Sequence, residues 1–226
     1  GTQALLMNIY RKIDRTKVQF DFLVVYKEKQ FYDDEIESMG GHVYKLSFRE
    51  DLNLPKFQKD LKNLFKQHHE YQIVHCHAYT IGYFCLKAAK KAGIPVKIAH
   101  SHNNETVHDI KYLPKLFMQR LFTLNATDLF ACSEEAGKYL FKDKPFRVLK
   151  NAIDSQQFIA NENIRREVRQ ELGLENKFVV GHVGRLHPQK NHDFLIDVFA
   201  EIKKKKPDAE LILVGTGPLE EKVRSK

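Results

Sequence analysis

The amino-acid sequence predicts an α/β protein built on doubly wound parallel sheets. Short apolar runs alternate with helical patterns almost throughout the 226 residues, which is typical of βαβ units. Most of these runs are continuously apolar rather than alternating, so we expect most strands to be buried on both faces in parallel sheets. A composition of 42% hydrophobic and 29% charged residues is sufficient for a buried core.

The predicted elements follow from these patterns. Strands are expected at residues 20–26, 42–46, 73–77, 96–100, 129–133, 146–149, 178–183 and 211–214. Helices are expected at residues 3–13, 33–39, 55–68, 81–92, 112–124, 134–140, 164–172, 193–206 and 219–224. Because glycine adopts positive φ at no steric cost, the predicted C-terminal caps of the helices are Gly40, Gly41, Gly93 and Gly173.

The chain is predicted to contain two domains joined by a linker. Residues 1–150 form a Rossmann-like N-terminal domain, residues 151–176 a linker, and residues 177–226 the opening βαβα part of a second Rossmann-like domain. The first strand of a doubly wound sheet is central, whereas Gly1 is followed at once by a helical pattern. We therefore expect the N-terminal domain to lack its first strand. The second domain is expected to be incomplete, since an ordinary domain has roughly 100–150 residues.

The positive charge is concentrated in the N-terminal part of the chain. The net charge is +8; residues 1–150 hold 24 Lys and Arg against 17 Asp and Glu, whereas residues 151–226 hold 13 against 12. This basic half predicts an anionic partner, such as lipid head groups, an acidic glycan or nucleic acid, although a lysine-rich surface without a partner has the same composition. The sequence has no run of 18 apolar residues, so no transmembrane helix is predicted.

Cysteine usage predicts a cytosolic protein without a metal-binding thiol motif. Cys76, Cys85 and Cys132 are few, odd in number and set in apolar contexts, so they are interpreted as reduced core thiols.

The segment 184–191, GRLHPQKN, lies between an apolar strand pattern and an amphipathic helix pattern. In α/β proteins this order presents a phosphate group to a helix N-terminus. Gly184 lets a ligand approach the backbone closely, Arg185 offers a planar fork of donors for a diphosphate, and Lys190 adds a point charge. With free backbone N–H groups, these residues are predicted to hold a leaving diphosphate without a metal. The alternative is an ordinary βα loop with two solvated cations.

Two pairs of histidines follow two of the predicted strands. His75 and His77 end one strand, and His100 and His102 end the next. Ligands of α/β sheets bind at the carboxyl edge, and alternation places both histidines of a pair on one side of their strand. Each pair is therefore a candidate for the ligand site, although a structural role is more common for such residues. A zinc site is disfavoured because no carboxylate or thiol has the supporting spacing.

Two further segments permit a structural and a functional interpretation. GTGP at residues 215–218 contains half of a dinucleotide-binding fingerprint, and a structural turn is favoured because Glu220 occupies the position of the third glycine. The predicted helix 112–124 combines aromatic residues and cations. That pattern is typical of a membrane-surface contact or, more often, of a helix with one face in the core.

Taken in order, the motifs resemble those of the large family 4 glycosyltransferases. Gly1-Thr2-Gln3 resembles the end of the family's Gly-Gly-x-Glu loop, with Gln3 in place of Glu. IVHCH at 73–77 resembles a strand that lines the cleft between the two domains, and KIAH at 97–100 resembles the segment with the cleft histidine. LFACS at 129–133 resembles the last strand of the N-terminal domain. NAID at 151–154 resembles the Asn-Gly-Val/Ile-Asp crossover, with Ala152 in place of glycine. GRLHPQKN resembles the Gly-Arg-Leu-x-x-x-Lys-Gly/Asn signature, and VGTGPL at 214–219 is the next landmark.

The resemblance implies two facing Rossmann domains and a nucleotide-sugar-dependent, metal-independent, retaining glycosyltransferase. It implies that Gly184, Arg185 and Lys190 bind the donor diphosphate. It also implies that His100, the candidate catalytic residue, lies near the transferred sugar and orients it. The candidates for the acceptor side of the cleft are Gly1, His77 and His102. No cofactor is expected besides the donor substrate.

The implied partners are a nucleotide-sugar donor and a glycan or lipid-linked acceptor of capsule or exopolysaccharide synthesis. We also expect a cytoplasmic protein whose basic N-terminal half contacts the inner face of an anionic membrane. Binding of nucleic acid is not expected. The family's Glu-x7-Glu segment, which grips the donor ribose and sugar, would follow Lys226, so this chain alone is expected to be inactive.

Two alternatives remain open. One is a sugar-nucleotide epimerase of the same architecture, for which the sequence offers no clear acid/base carboxylate pair. The other is a non-enzymatic basic module that binds anionic lipid or nucleic acid.

Overall fold

The computed structural model describes residues 2–103 and 112–226, and the chain divides into two compact units. The first unit is Gly1–Asp154 and the second is Ser155–Lys226. Every strand pairing in both units is parallel among the described residues. The predicted α/β class with parallel sheets is therefore confirmed.

The described residues form eight strands, ten α-helices and three 3-10 helices. The strands are β1 (Phe22–Val24), β2 (Val43–Lys45), β3 (Ile73–Cys76), β4 (Val96–Ser101), β5 (Asp128–Ala131), β6 (Arg147–Val148), β7 (Phe178–Val183) and β8 (Ala209–Val214). The α-helices are α1 (Thr2–Tyr10), α2 (Asp33–Ser38), α3 (Phe48–Asp51), α4 (Leu54–Gln67), α5 (Tyr79–Lys91), α6 (Tyr112–Phe122), α7 (Glu134–Phe141), α8 (Glu162–Glu171), α9 (His192–Lys205) and α10 (Glu220–Ser225). The 3-10 helices are Thr123–Asn125, Ser155–Phe158 and Pro188–Lys190.

Each predicted strand and helix has a counterpart that differs by a few residues at its ends. Helix α3 was not predicted, because a helix of four residues makes a single turn and shows no apolar periodicity. The predicted strand at 20–26 shortens to Phe22–Val24, since its neighbour β2 is itself only three residues long.

The first unit contains two separate parallel sheets. One has the order β1-β2, and the other has the order β3-β4-β5-β6. Among the described residues, no strand pairing joins these two sheets.

The larger hydrophobic core of the first unit lies on one face of the four-stranded sheet, and a smaller one is formed by Met7, Tyr10 and Ile36. Cys76, Ala99 and Ala131 point to this face from β3, β4 and β5. Helices α4 to α7 cover it with the buried side chains Phe57, Leu61, Phe65, Cys85, Leu86, Ala89, Phe122, Ala136 and Phe141. Because side chains alternate along a strand, the neighbours of these three sheet residues point to the opposite face.

Burial on both faces was predicted for most strands, and this prediction is wrong except for β4. Five of the six residues of β4 are buried, because this strand has a neighbour on each side. Ile73 of β3 is 54% exposed, and Val183 of β7 is 81% exposed. Their strands lie at the edges of small sheets, where continuous apolar runs remain partly in contact with solvent.

Glycine ends three helices as predicted. Gly40, Gly93 and Gly173 have φ of 86°, 82° and 66°, a left-handed conformation that favours glycine. Gly41 has a different role, since it is not one of the glycines with a positive φ. A Cβ at this position would lie 2.6 Å from the carbonyl oxygen of Phe20. Gly41 is therefore needed for close packing rather than for a cap.

The second unit is built around one parallel pair of strands. β7 and β8 pair from Phe178 opposite Ala209 to Val183 opposite Val214, and helix α9 connects them. The carboxyl ends of both strands therefore reach the same edge, where the 184–191 loop follows β7.

Candidate functional site

The residues singled out in the sequence form two groups, one in each unit. The first group, which we call the histidine cluster, comprises His75, His77, His100 and His102. The second group is the 184–191 loop. Gly1, predicted on the acceptor side of a cleft, lies outside the described residues.

Strand pairing brings the four histidines together. In the register of the neighbouring strands β3 and β4, His75 lies opposite Ile98. The ring centroids are 4.3 Å apart for His75 and His77, 4.2 Å for His100 and His102, and 5.1 Å for His75 and His100. The prediction that each pair lies on one side of its strand is confirmed, and both pairs share one face of the sheet.

Two short contacts join the histidines across the strands. Nε2 of His75 lies 2.9 Å from Nδ1 of His100, and Nδ1 of His77 lies 2.7 Å from Nε2 of His102. In each contact the tautomers decide which nitrogen donates. His100 is fully buried, and its Nε2 has no hydrogen-bond partner among the described residues. This nitrogen is the atom of the cluster that a ligand would satisfy.

Burial keeps these histidines uncharged. Burial, and to a smaller extent repulsion between neighbouring imidazoles, lowers the pKa of His75 to about 4, that of His100 to about 3 and that of His77 to about 2. Burial also lowers the pKa of His102. At neutral pH the cluster therefore presents N–H donors and nitrogen lone pairs rather than positive charge. Such a surface suits hydroxyl groups or a metal ion better than phosphate.

Tyr79 holds the carboxyl end of β4, a role that the sequence analysis missed. Its hydroxyl oxygen accepts hydrogen bonds from the backbone N–H groups of His102, at 2.6 Å, and Asn103, at 2.7 Å. On the other face of the strand, the Ser101 hydroxyl donates to the carbonyl oxygen of Ala136 at 2.7 Å. The only signal in the sequence is the position of Tyr79 two residues after His77.

The cysteines behind the cluster are free thiols. Cys76 and Cys85 are buried, and Cys132 is partly buried. A Cβ on Gly82 would overlap the ring of Phe122 and lie 2.9 Å from Sγ of Cys76. The predicted core thiols are confirmed as buried or half-buried side chains.

In the second unit, two glycine-containing loops support each other. The N–H of Gly184 donates to the carbonyl oxygen of Val214, and that of Leu186 donates to Thr216, both at 2.9 Å. A Cβ on Gly215 would overlap the carbonyl oxygen of Gly184.

Gly217 makes a similarly close approach. A Cβ at this position would lie 2.5 Å from the carbonyl oxygen of Leu186, whose side chain is buried. The 215–218 segment therefore has a structural role, because its contacts fix the path of the 184–191 loop.

The two predicted cations of the loop are exposed. Arg185 and Lys190 form no ion pair with the described part of the chain. A Cβ on Gly184 would lie 3.7 Å from Cε of Lys190, so the lysine side chain runs close to the glycine. Lys190 ends a 3-10 helix, and α9 begins two residues later, after Asn191 in the left-handed conformation. The loop thus combines two unpaired cations with a helix N-terminus.

Two histidines beside this loop were also missed by the sequence analysis. His192, at the first position of α9, is 1% exposed and packs edge-on against His182 at a centroid distance of 5.0 Å. Neither ring nitrogen of His192 has a partner among the described residues. Their separation of ten positions, across a loop, gives no periodic signal in the sequence.

Helix α6 combines both interpretations of the 112–124 pattern. Phe122 is fully buried in the core, whereas Leu113 and Phe117 are 75% and 62% exposed.

Within the described ranges, none of the helices has the length and apolar character that crossing a bilayer requires.

Comparison with known proteins assigns a family to both parts of the chain. The family described as Glycosyltransferase Family 4 matches residues 1–157, and the family described as Glycosyl transferases group 1 matches residues 164–226.

Individual relatives and a solved structure agree with these matches. EpsF of Bacillus subtilis, whose name places it among the glycosyltransferases, is 35% identical over 229 residues, which cover 97% of this chain and 59% of EpsF. The UDP-Gal:alpha-D-GlcNAc-diphosphoundecaprenol alpha-1,3-galactosyltransferase of Escherichia coli is 28% identical over 89% of this chain and 55% of its own length. The crystal structure of Anabaena HepE in complex with UDP and glucose matches all of this chain and 60% of HepE, with a TM-score of 0.75 and 20% identity, which shows a common fold.

The chain therefore spans somewhat more than half the length of these relatives. Because the Glycosyltransferase Family 4 match covers residues 1–157 of 226, the chain belongs to glycosyltransferase family 4.

Proposed function

We propose that the protein carrying this chain transfers a sugar from a nucleotide-diphosphate sugar to a glycan or lipid-linked acceptor. In this proposal the second unit contributes to donor binding and the first unit contacts the acceptor and the transferred sugar. The family assignment supports the class of reaction, and the resemblance of the motifs supports transfer with retention of configuration.

The observation that carries the proposal is the pair of cations on the 184–191 loop. Arg185 and Lys190 are exposed and have no acidic partner in the described ranges, so they are available to an anionic ligand. Arg185 offers parallel N–H donors that match phosphate oxygens, and Lys190 supplies a compact charge. The absence of a Cβ on Gly184 leaves the backbone open to a diphosphate.

These groups account for catalysis without a metal ion. When the bond between the sugar and the diphosphate breaks, negative charge grows on the leaving phosphate. Cations and backbone N–H groups that are already in position stabilise this charge. No cofactor is part of the proposal, and the nucleotide sugar enters as a substrate.

His100 is proposed to orient the transferred sugar. Its unpartnered Nε2 is buried, and its lowered pKa keeps the ring neutral. A neutral imidazole binds a hydroxyl group by donating or accepting one hydrogen bond. His77 and His102 are proposed to extend this surface towards the acceptor.

The acceptor is proposed to be reached at the inner face of a membrane. The excess of basic residues in positions 1–150 and the exposed Leu113 and Phe117 of α6 support contact with an anionic lipid surface. The name of the Escherichia coli relative specifies a diphosphoundecaprenol acceptor, which is consistent with a lipid-linked acceptor for this protein as well.

The test is nucleotide binding by the complete protein. Arg185→Ala and Lys190→Ala should each weaken binding of UDP, or of GDP if the protein prefers it, by about 10- to 100-fold, because a hydrogen bond to a charged group contributes roughly 1.5–3 kcal/mol. Isothermal titration calorimetry measures both affinities, and transfer to a lipid-linked acceptor is followed in parallel.

Matched controls replace exposed cations elsewhere in the same unit. Arg166→Ala on α8 and Lys205→Ala in the last turn of α9 should leave nucleotide affinity unchanged. Equal affinity of the two loop variants and the wild type would contradict the proposal.

Neither alternative is favoured. An epimerase would need an acid/base carboxylate pair, and both family matches are to glycosyltransferases. A basic module without chemistry would bind DNA or anionic vesicles in a salt-sensitive way and show no effect of a nucleotide sugar.

A further inference from the structure

We propose that His182 is a further donor-binding residue, whose Nε2–H group donates a hydrogen bond to a phosphate oxygen of a nucleoside diphosphate on the 184–191 loop. This inference deepens the proposed function and rests on it. No sequence motif indicates the role, because His182 is a single polar residue in the apolar run that forms β7. The position of its ring beside Gly184 carries the inference.

Strand geometry directs His182 to the side from which a ligand reaches Gly184. His182 lies opposite Leu213 in the register of β7 and β8, and Gly184 continues this pairing through its N–H, which donates to the carbonyl oxygen of Val214. Side chains alternate along a strand, so positions 182 and 184 face the same side. A ligand that approaches Gly184 from the side of its missing Cβ therefore meets the imidazole.

The distances around Gly184 show how close this ring is. The atom nearest to the position of a Cβ on Gly184 is Cε1 of His182, at 3.0 Å. Nε2 of the same ring is 3.6 Å from that position, and Cε of Lys190 is 3.7 Å from it. His182 and Lys190 thus flank one point beside the glycine, and a phosphate oxygen next to this point can contact both side chains.

The burial of the ring indicates which nitrogen carries the proton. Nδ1 of His182 is buried and has no hydrogen-bond partner among the described residues, whereas Nε2 is not one of the enclosed atoms. A buried N–H group without an acceptor is rarer in proteins than a buried acceptor without a donor. The neutral ring therefore keeps a lone pair on Nδ1 and carries its proton on Nε2. This tautomer presents a donor to the phosphate.

His192 holds the ring of His182 in this orientation. It is the first residue of α9, is 1% exposed and packs edge-on against His182, with centroids 5.0 Å apart and an interplanar angle of 83°. Aromatic rings favour this arrangement. Because His192 is buried, it is a positioning residue that does not touch the ligand.

The contact adds direction to the charge that Arg185 and Lys190 supply. A hydrogen bond to a charged phosphate oxygen is shorter and stronger than one to a neutral acceptor. As negative charge grows on the leaving phosphate, the Nε2–H bond strengthens with it. Loss of this bond should therefore lower both the affinity for the nucleotide and kcat.

The experiment measures UDP binding by the complete protein in isothermal titration calorimetry. His182→Phe keeps a ring against His192 and removes the donor, so UDP should bind about 10- to 100-fold more weakly. His182→Gln places an amide N–H near the position of Nε2 and should recover most of the affinity. His182→Asn has a shorter side chain and should not recover it.

The matched control is the same substitution in the partner ring. His192→Phe keeps the edge-on pair and removes only nitrogens that do not touch the ligand, so it should bind UDP like the wild type. An effect equal to that of His182→Phe would show that packing of the pair, rather than the Nε2–H group, determines affinity.

A second measurement uses the wild type and does not depend on the folding of any variant. In 15N NMR spectra of histidine-labelled protein, His182 should show a protonated Nε2 and an unprotonated Nδ1, and addition of UDP should shift the Nε2 signal. A proton on Nδ1, or an Nε2 signal that UDP leaves unchanged, would contradict the proposal.

The results separate this inference from the proposed function. If Arg185→Ala and Lys190→Ala weaken UDP binding while His182→Phe binds like the wild type, the role of His182 is refuted and the donor site remains. If the two loop variants also bind UDP like the wild type, the proposed function fails as well.

Discussion

The histidine cluster and the 184–191 loop are both polar, but they differ in charge, burial and origin. The cluster takes its residues from the ends of two strands, 25 positions apart in the chain, and its rings are buried or half-buried and uncharged. The loop places Arg185 and Lys190 within six consecutive residues, exposed and charged. The comparison teaches that a local segment can present charge by itself, whereas a set of neutral donors and acceptors depends on the sheet that buries it.

The support of the two regions differs in the same way. The cluster is stabilised by side-chain contacts, such as the hydroxyl of Tyr79 that accepts two N–H groups of the β4 end. The loop is stabilised by backbone contacts, since Gly215 and Gly217 touch the carbonyl groups of Gly184 and Leu186. Changes to side chains should therefore affect the cluster, and an added Cβ should affect the loop.

Acidification should change the stability of the two regions most differently. The pKa of His75, His100 and His77 is lowered to about 4, 3 and 2 in the folded state, so the unfolded chain binds protons first. The neutral rings contribute fully to the free energy of unfolding above about pH 6.5. This contribution is lost as the pH falls towards 4 and below, by about 1.4 kcal/mol per pH unit for each histidine.

Denaturant titrations at several pH values, read by amide exchange in β4 and β7, measure this effect in each unit of the complete protein. Protection of β4 should fall with pH more steeply than that of β7, and His75→Gln should reduce the slope. A β4 stability that does not change between about pH 7 and 5 would show that burial does not keep the rings neutral.

Gly215→Ala should damage the loop by a backbone mechanism. The new Cβ overlaps the carbonyl oxygen of Gly184, so β7 and β8 must separate at their ends. We expect a loss of about 2–5 kcal/mol in the unfolding free energy of the second unit, together with weaker UDP binding.

Gly181→Ala is the matched control in the same sheet, because a Cβ there meets no atom within 4 Å. It should change stability by no more than about 0.5 kcal/mol. Equal effects of the two substitutions in denaturant unfolding would argue against close contact between the loops.

Tyr79→Phe should have a smaller effect, confined to the cluster. It removes the acceptor of two N–H groups and keeps the ring, so we expect a loss of about 1–2 kcal/mol in the stability of the first unit. The histidine resonances in NMR spectra should shift, because the end of β4 is no longer held.

Tyr83→Phe, on the same helix, keeps the cation–π contact of the ring with Lys87 and serves as the control. Its stability should stay within about 0.5 kcal/mol of the wild type. If Tyr79→Phe behaved in the same way, the end of β4 would be held by other contacts.

The sequence predicted the positions of strands and helices better than their burial and their contacts. Apolar runs and helical periodicity located each strand and every α-helix except the single turn α3, because both signals are local in the chain. Burial was overestimated for strands such as β3 and β7, since a continuous apolar run does not reveal how many strands and helices cover it. The glycines 215 and 217 were interpreted as a turn, but the contact of that turn with residues 184 and 186 involves a second segment and was not visible.

For the site, the sequence by itself determined the 184–191 loop and the family motifs. A strand, a glycine, two cations and a helix within one short segment need no distant partner to define their chemistry. Only the tertiary structure decided that His75 and His77 meet His100 and His102, that one nitrogen remains unpartnered, and that Tyr79 supports the strand end. The physical reason is that parallel strands are joined through intervening helices, so their register, and with it every contact between their side chains, is set by the packing of the whole sheet.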